Sequence, residues 1–198
     1  MSNRRKNQIS REEILDLGDY ERKRDEIRPR AIAARALRRV SLGPNATIAF
    51  ENRETVAYQI QEMLRAERIA KDAEVDHEIE TYSDLLPAGH ELSATVMFEF
   101  PEAEGRDVRL HELLGFEDHL RLELDGAGTA AAFFDRRQID ADRISAVQFA
   151  RFPLTPEQRD VLAYGGNVRV VSDHPAYAHV AEISQATCRA LAEDLRDG

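Results

Sequence analysis

The sequence has one cysteine and no long apolar run. The cysteine is Cys188, so an intramolecular disulfide cannot form and the disulfide-rich secreted classes are excluded. No stretch approaches the ~20 apolar residues that a membrane-spanning helix needs, and the basic N-terminus lacks the apolar run of a signal peptide. We therefore expect a cytoplasmic protein without membrane contact.

Several enzyme signatures are also missing. The sequence contains no Gly-x-Ser-x-Gly, no Gly-rich phosphate-binding loop and no Cys-x-x-Cys pair. These motifs are the usual sequence signatures of hydrolases, nucleotide-binding proteins and iron–sulfur proteins. Catalytic residues and cofactors therefore stay unknown at this stage, and whether the protein is an enzyme stays open.

Charge is distributed unevenly along the 198 residues, whose net charge is −10. Residues 1–40 hold 12 Lys or Arg against 7 Asp or Glu, whereas the other residues hold 15 against 30. Residues 41–198, the acidic body, repel nucleic acid phosphate. Nucleic-acid binding is therefore the least favoured function. The basic arm either binds an acidic partner or folds back on the body, and fold-back is favoured because it needs no second component.

The clearest sequence signal is a strand that runs into a helix at Ala46–Ile69, which we call the organising stretch. Ala46, Ile48 and Phe50 alternate with other residues at the period of two that a half-buried strand needs. Asn52 is a suitable N-cap, and apolar residues then recur every three or four positions, as in an amphipathic helix.

The arm is predicted to be helical. Gly18 ends a first short helix, and Asp19 caps a second one over Tyr20–Val40. Pro29 is expected to break or kink it, because proline removes a backbone hydrogen bond. We predict that this arm, residues 1–42, packs on a single α+β domain, residues 43–198.

The second half of the chain is rich in strands joined by short links. Leu92–Phe100 alternates cleanly, the glycines at 126 and 128 suggest a hairpin, and Ile144–Phe152 has the two-sided apolar pattern of an interior strand. Short links favour antiparallel pairing. The predicted fold is α+β: a mainly antiparallel sheet of about five or six strands with packed helices, the N-terminal helical arm and a C-terminal helix over Tyr177–Leu195.

Four long strings in the sequence resemble a bacterial family, the domain of unknown function 3501. They are FENRETVAYQIQEMLRAERI at 50–69, ELSATVMFEF at 91–100, AVQFARFPL at 146–154 and DHPAY at 173–177. The resemblance implies no established activity or cofactor. Because members of the family look like genomic neighbours of rubrerythrin-type and iron–sulfur oxidoreductase proteins, it implies an association with redox or peroxide-stress systems and a redox protein as partner.

Two groups of polar residues are candidates for a site. Asp173 can orient His174 as a base or metal ligand next to Tyr177, although Asp173 is also a good helix cap. Gln59 and Glu62 lie one turn apart on the helix of the organising stretch, where Glu62 can bind a metal or accept a proton. The favoured alternative for this helix is a hydrogen-bond network with the sheet.

Gln148 and Arg151 lie on the predicted interior strand. We expect them to be partners of the helix residues whether these residues form a hydrogen-bond network or a site. We predict that Glu51, Arg53, Arg151 and His174 converge in one pocket at an end of the sheet, either as a ligand site or as an ion-pair lock.

Two functional hypotheses follow. The first is an accessory or interaction protein with a redox partner. The alternative is a metal-binding module or metal-dependent enzyme that uses His174, Asp173 and Glu62. A homo-oligomer is left open.

Overall fold

The α+β class is confirmed. The structure is a computed structural model that describes residues 8–135 and 142–197. The helices in these residues are α1 (Leu17–Ala36), α2 (Arg53–Glu67), α3 (Asp72–Ser83), α4 (Ala103–Glu112), α5 (Pro156–Ala163) and α6 (Gln185–Asp197). No helix in this part of the chain has the length and apolar character needed to cross a membrane.

The strands of residues 8–135 and 142–197 form two antiparallel sheets rather than one sheet of five or six strands. The strands are β1 (Arg39–Leu42), β2 (Ala46–Glu51), β3 (Glu91–Phe98), β4 (Leu120–Leu124), β5 (Gly128–Ala131), β6 (Phe133–Phe134), β7 (Val147–Pro153), β8 (Val168–His174) and β9 (Tyr177–Glu182). The first sheet has the order β1-β2-β3-β7-β6 and the second has the order β5-β4-β8-β9. The chain passes from the second sheet to the first between β5 and β6.

The main core contains the inner residues of both sheets. Leu92, Ala94, Val96 and Phe98 alternate inward from β3 as predicted, and Leu122 of β4 belongs to the same cluster. Helices α4, α5 and α6 add apolar residues to it. Tyr177 contacts the start of β2, whereas α6 contacts Asn52 just beyond its end, so these elements lie at opposite ends of the sheets.

The strand and helix of the organising stretch are also confirmed. Asn52 caps α2 by accepting a hydrogen bond from the backbone N–H of Thr55. Val56, Ile60 and Leu64 of α2 form a second core with α3 and the N-terminal segment.

The closing helix is shorter than predicted. Residues 177–182 are strand β9, which pairs with β8 through a turn at Pro175 and Ala176, and α6 begins only at Gln185. Pairing with a neighbouring strand overrides the helical pattern here.

The arm helix differs from its prediction in its ends and in its continuity. Asp16 rather than Asp19 caps α1, and Gly18 lies inside the helix. The helix continues through Pro29, whose position is exposed to solvent. Its buried residues, Tyr20, Ala31 and Ala34, lie on the side that packs against α2.

Arginines of the N-terminal arm contact the rest of the described chain. Arg24 and Arg38 of the arm pair with Glu62 and Asp194 of the body. The packing of the whole arm on the body stays a prediction, and residues 1–7 of the arm lie outside the described residues. The division of the chain at residue 42 stays a prediction; strand β1 ends at that residue and pairs with β2.

Candidate functional site

Tyr177 ties the β8–β9 hairpin to the turn between β1 and β2. Its hydroxyl donates to the carbonyl oxygen of Leu42 at 2.7 Å and accepts from the backbone N–H groups of Asn45 and Ala46 at 2.9 and 2.8 Å. With one hydrogen bond donated and two accepted, the phenol hydroxyl has no hydrogen-bonding capacity left. Burial raises the pKa of Tyr177, an effect that the two N–H donors partly offset. The hydroxyl is therefore a structural tether.

Aromatic rings surround Tyr177. The rings of Phe98 and Phe116 meet it edge to face at centroid distances of 5.7 and 6.4 Å, and the ring of His179 lies 4.4 Å away. Gly43 admits His179, because a Cβ at Gly43 would lie 2.6 Å from the imidazole ring. The ring of Tyr177 is thus fixed from several sides.

A cavity of about 130 Å³ opens beside this tether, and we call it the hairpin pocket. It lies between the β1–β2 turn, α4 and the β8–β9 hairpin. Besides Tyr177, the side chains that shape it are Asn45, Phe100, Arg109, Glu112, Ala176 and His179. Arg109 and Glu112 form an ion pair at 3.0 Å, with 59% and 47% of their side chains exposed. The pocket therefore has an aromatic wall and a charged rim.

Asp173 orients His119 rather than His174. Its carboxylate accepts from Nδ1 of His119 at 2.7 Å and pairs with the guanidinium of Arg121. These two hydrogen bonds lower the pKa of Asp173, with that of His119 the larger cause. Asp173 and His174 are consecutive residues of β8, so their side chains point to opposite faces of the sheet. The predicted Asp173–His174 pair is therefore wrong.

His174 is buried at the end of β8, with 5% of its surface exposed. Its Nδ1 accepts from the backbone N–H of Ala176 at 3.2 Å, and its Nε2 donates to the carbonyl oxygen of Leu114 at 3.2 Å. Both ring nitrogens have backbone partners. His174 fills the junction between the hairpin and the end of α4.

Gln59 and Glu62 form a network as expected, but with the arm helix rather than with the sheet. Glu62 accepts two hydrogen bonds from Arg24, at 2.8 and 2.9 Å, and one from the hydroxyl of Tyr20. These contacts, led by Arg24, lower the pKa of Glu62 to about 2. Gln59 accepts from Arg35 at 3.0 Å. The helix α2 is thus fixed to α1.

Glu51 and Arg53 lie at the end of β2 remote from Tyr177. Glu51 is buried and accepts from the hydroxyls of Thr55 and Thr95 at 2.6 and 2.7 Å. Arg53 forms two hydrogen bonds with Glu13 of the N-terminal segment, and this ion pair lowers the pKa of Glu13 to about 2.

Gln148 and Arg151 have partners of their own on β7. Arg151 pairs with Glu91 and also donates to the carbonyl oxygen of Asp84. Gln148 is buried and donates to the carbonyl oxygen of Ser145 at 3.3 Å, and its amide oxygen has no hydrogen-bond partner among the residues that the structure describes.

The predicted convergence of all four residues is therefore not found. Glu51 and Arg151 both align with Ser93 at one end of the first sheet, whereas the hairpin that holds His174 contacts Ala46 at the other end of β2.

The predicted metal ligands are likewise separated. Glu62 lies on α2 beside α1, whereas Asp173 and His174 point to opposite faces of β8. Over residues 8–135 and 142–197, no group of three or more His, Cys, Asp or Glu side chains is placed to hold a metal ion.

Sequence reasoning missed the residues of α4 that border the pocket. Leu110 and Leu113 are buried in the core, and Arg109 and Glu112 each come one position before them. Residues three positions apart lie side by side on a helix. The spacing of the buried Leu110 and Leu113 could therefore have indicated that Arg109 and Glu112 also lie next to each other. The pocket itself depends on contacts between distant segments.

The chain matches known sequences and structures of unknown function. A family model described as protein of unknown function (DUF3501) matches residues 8–195. A crystal structure of a novel protein of unknown function from Burkholderia pseudomallei K96243 is similar, with a TM-score of 0.88 and 31% sequence identity over 94% of this chain and 98% of that chain. No curated protein matches the chain.

Proposed function

The chain belongs to the DUF3501 family of proteins of unknown function, and we propose that it is an accessory binding protein that receives one side chain of a partner protein in the hairpin pocket. The observation that carries the proposal is the size and wall of this pocket. Its occupant must fit a cavity of about 130 Å³ beside Tyr177.

The volume selects the class of occupant. Sites for drug-sized molecules enclose roughly 300–1,000 Å³, whereas a cavity of about 150 Å³ holds a single benzene ring. The hairpin pocket is therefore too small for a nucleotide, a flavin or a haem. One amino-acid side chain fits it.

The construction of the pocket supports binding of an anchor residue. A protein interface gains most of its energy from a few side chains that enter preformed pockets with a polar rim. Tyr177 is held by three hydrogen bonds, so little conformational entropy is lost when the wall is used. The charged pair of Arg109 and Glu112 provides the rim.

The nature of the partner rests on the family resemblance. The apparent genomic neighbours of family members suggest a redox or peroxide-stress protein in the cytoplasm as the partner. This part of the proposal is independent of the pocket, and identification of the captured protein tests it.

The experiment compares the full-length wild type with two variants in affinity capture from native cells. Ala176→Phe fills the pocket, while Ala178→Phe adds the same ring at an exposed position two residues further along the chain. We expect wild type and Ala178→Phe to capture the same protein and Ala176→Phe to lose it. Equal capture by all three, or no specific capture by the wild type, would contradict the proposal; thermal melting confirms that each variant is folded.

A further inference from the structure

We propose that the side chain received by the hairpin pocket is basic, a lysine or an arginine of the partner. This inference rests on the proposed function and names the chemistry of its ligand. Three independent features support it: the aromatic wall, the carboxylate on the rim and the charge of the whole body.

The aromatic wall suits a cation. Tyr177 and Phe100 line the pocket, and aromatic rings attract ammonium and guanidinium groups through the partial negative charge of their faces. The aliphatic stem of a lysine or arginine also gains from contact with Leu113, which lines the same cavity.

Glu112 supplies the matching charge. Its carboxylate lies on the rim and pairs with Arg109 three positions earlier on the same helix. Surface pairs with this spacing contribute little stability, so an incoming cation can replace Arg109 as the partner of Glu112. A bidentate or charge-assisted hydrogen bond would then form at the mouth of an aromatic pocket, where it is stronger than in open water.

The charge of the body favours the encounter. Residues 41–198 hold 15 Lys or Arg against 30 Asp or Glu. A surface with this excess of negative charge attracts basic segments and repels acidic ones over about a Debye length.

An acidic occupant is the competing chemistry, because Arg109 and His179 also line the pocket. The two occupants predict opposite effects at two neighbouring residues. Loss of the Glu112 charge weakens a bound cation and strengthens a bound anion, whereas loss of the Arg109 charge does the reverse.

The test uses three neutral-backbone probes, the N-acetyl amides of arginine, glutamate and tyrosine, titrated into full-length protein and followed by NMR. We expect the arginine probe to bind at about millimolar concentration, as its size allows, and to shift the amide signals of Ala176 and Tyr177. Glu112→Gln should weaken this binding about tenfold, the loss of one charge-assisted contact. Arg109→Ala should strengthen it.

The outcomes separate this inference from the proposed function. The basic anchor is wrong if the protein prefers the glutamate or tyrosine probe, or if Glu112→Gln leaves binding of the arginine probe unchanged. In either case the proposed function still holds if Ala176→Phe loses the partner. If no probe shifts the pocket signals, the basic anchor is also wrong. Partner capture that survives Ala176→Phe rejects the proposed function itself, whatever the probes show.

Discussion

Arg38 and Asp194 are 156 positions apart in the chain and form a buried bidentate ion pair. The two hydrogen bonds measure 2.7 and 2.8 Å, and the side chains are only 9% and 7% exposed. Asn52 also donates to Asp194 at 2.9 Å. Burial is the largest single influence and lowers the pKa of Arg38. The hydrogen bonds and charge of Asp194, together with the charges of Glu54 and Glu193, raise the pKa above its usual value overall. This cluster locks α6 to the ends of α1 and β2. An ion-pair lock is one of the two roles that the sequence analysis holds open for Glu51, Arg53, Arg151 and His174.

Removal of one member of this pair should destabilise the protein strongly. Asp194→Ala leaves the Arg38 charge buried without its partner, which costs about 3–5 kcal/mol. Urea unfolding measures the change. The matched control is Arg39→Ala, which breaks the exposed Arg39–Glu99 pair and should cost about 1 kcal/mol or less. Equal effects of the two substitutions would mean that Asp194 is not part of a lock.

Tyr177→Phe should destabilise the protein although it removes a single oxygen atom. The carbonyl of Leu42 and the N–H groups of Asn45 and Ala46 lose this partner. A buried group left unsatisfied costs about 1–3 kcal/mol, but the N–H of Asn45 is only partly buried and can bond to water instead. We expect a loss of about 2–4 kcal/mol in urea unfolding. Tyr164→Phe removes a hydroxyl from a residue that is 85% exposed and should change stability by less than about 0.5 kcal/mol.

Acid should weaken the contact between α1 and α2. The contacts of Glu62 lower its pKa from 4.5 to about 2, so the carboxylate stabilises the fold fully above pH 4.5 and loses this contribution as the pH falls towards 2. With a discount for partial exposure, the contribution is about 1–2 kcal/mol. The wild type should therefore lose more stability than Glu62→Gln between pH 5 and pH 2, measured by urea unfolding at several pH values.

The control for the acid experiment is Glu67→Gln, an exposed residue of the same helix. Its pH dependence should match that of the wild type. If Glu62→Gln keeps the full pH dependence, the pair of Glu62 with Arg24 contributes nothing to the acid response.

Local patterns predicted the parts of this fold that local physics determines. The alternation of β3 and the cap at Asn52 depend on neighbouring residues, so the sequence contained them. The helical pattern after Tyr177 was misleading, because β9 gains its stability from pairing with β8.

The candidate site depended on distant contacts and was predicted only in part. Tyr177 was identified, but its partners at Leu42 and Asn45 lie 135 and 132 positions away. The sequence analysis pairs Asp173 with the neighbouring His174, because nothing in the local pattern indicates that β8 extends through both residues. His119, its real partner, lies 54 positions away, beyond the reach of spacing arguments.

Gly43→Ala should damage both the fold and the hairpin pocket. Gly43 has φ +67°, and an added Cβ would meet the ring of His179 at 2.6 Å. The left-handed backbone alone costs an alanine about 1–2 kcal/mol. Displacement of His179 should add to this cost and alter the pocket wall. Gly126→Ala is the matched control, because Gly126 has φ +76° and, within the described part of the chain, no atom lies within 4 Å of the added Cβ.

A double-mutant cycle isolates the contact between Gly43 and His179. In urea unfolding, Gly43→Ala should cost more than Gly126→Ala in the wild-type background. In a His179→Ala background the clash is absent, so the cost of Gly43→Ala should fall to that of Gly126→Ala, a coupling of about 1 kcal/mol or more. The partner captured by the wild type should be lost in Gly43→Ala and kept in Gly126→Ala, since only the former moves a residue of the pocket. Additive costs in the cycle would show that the ring of His179 moves aside freely, and that its position does not depend on the glycine.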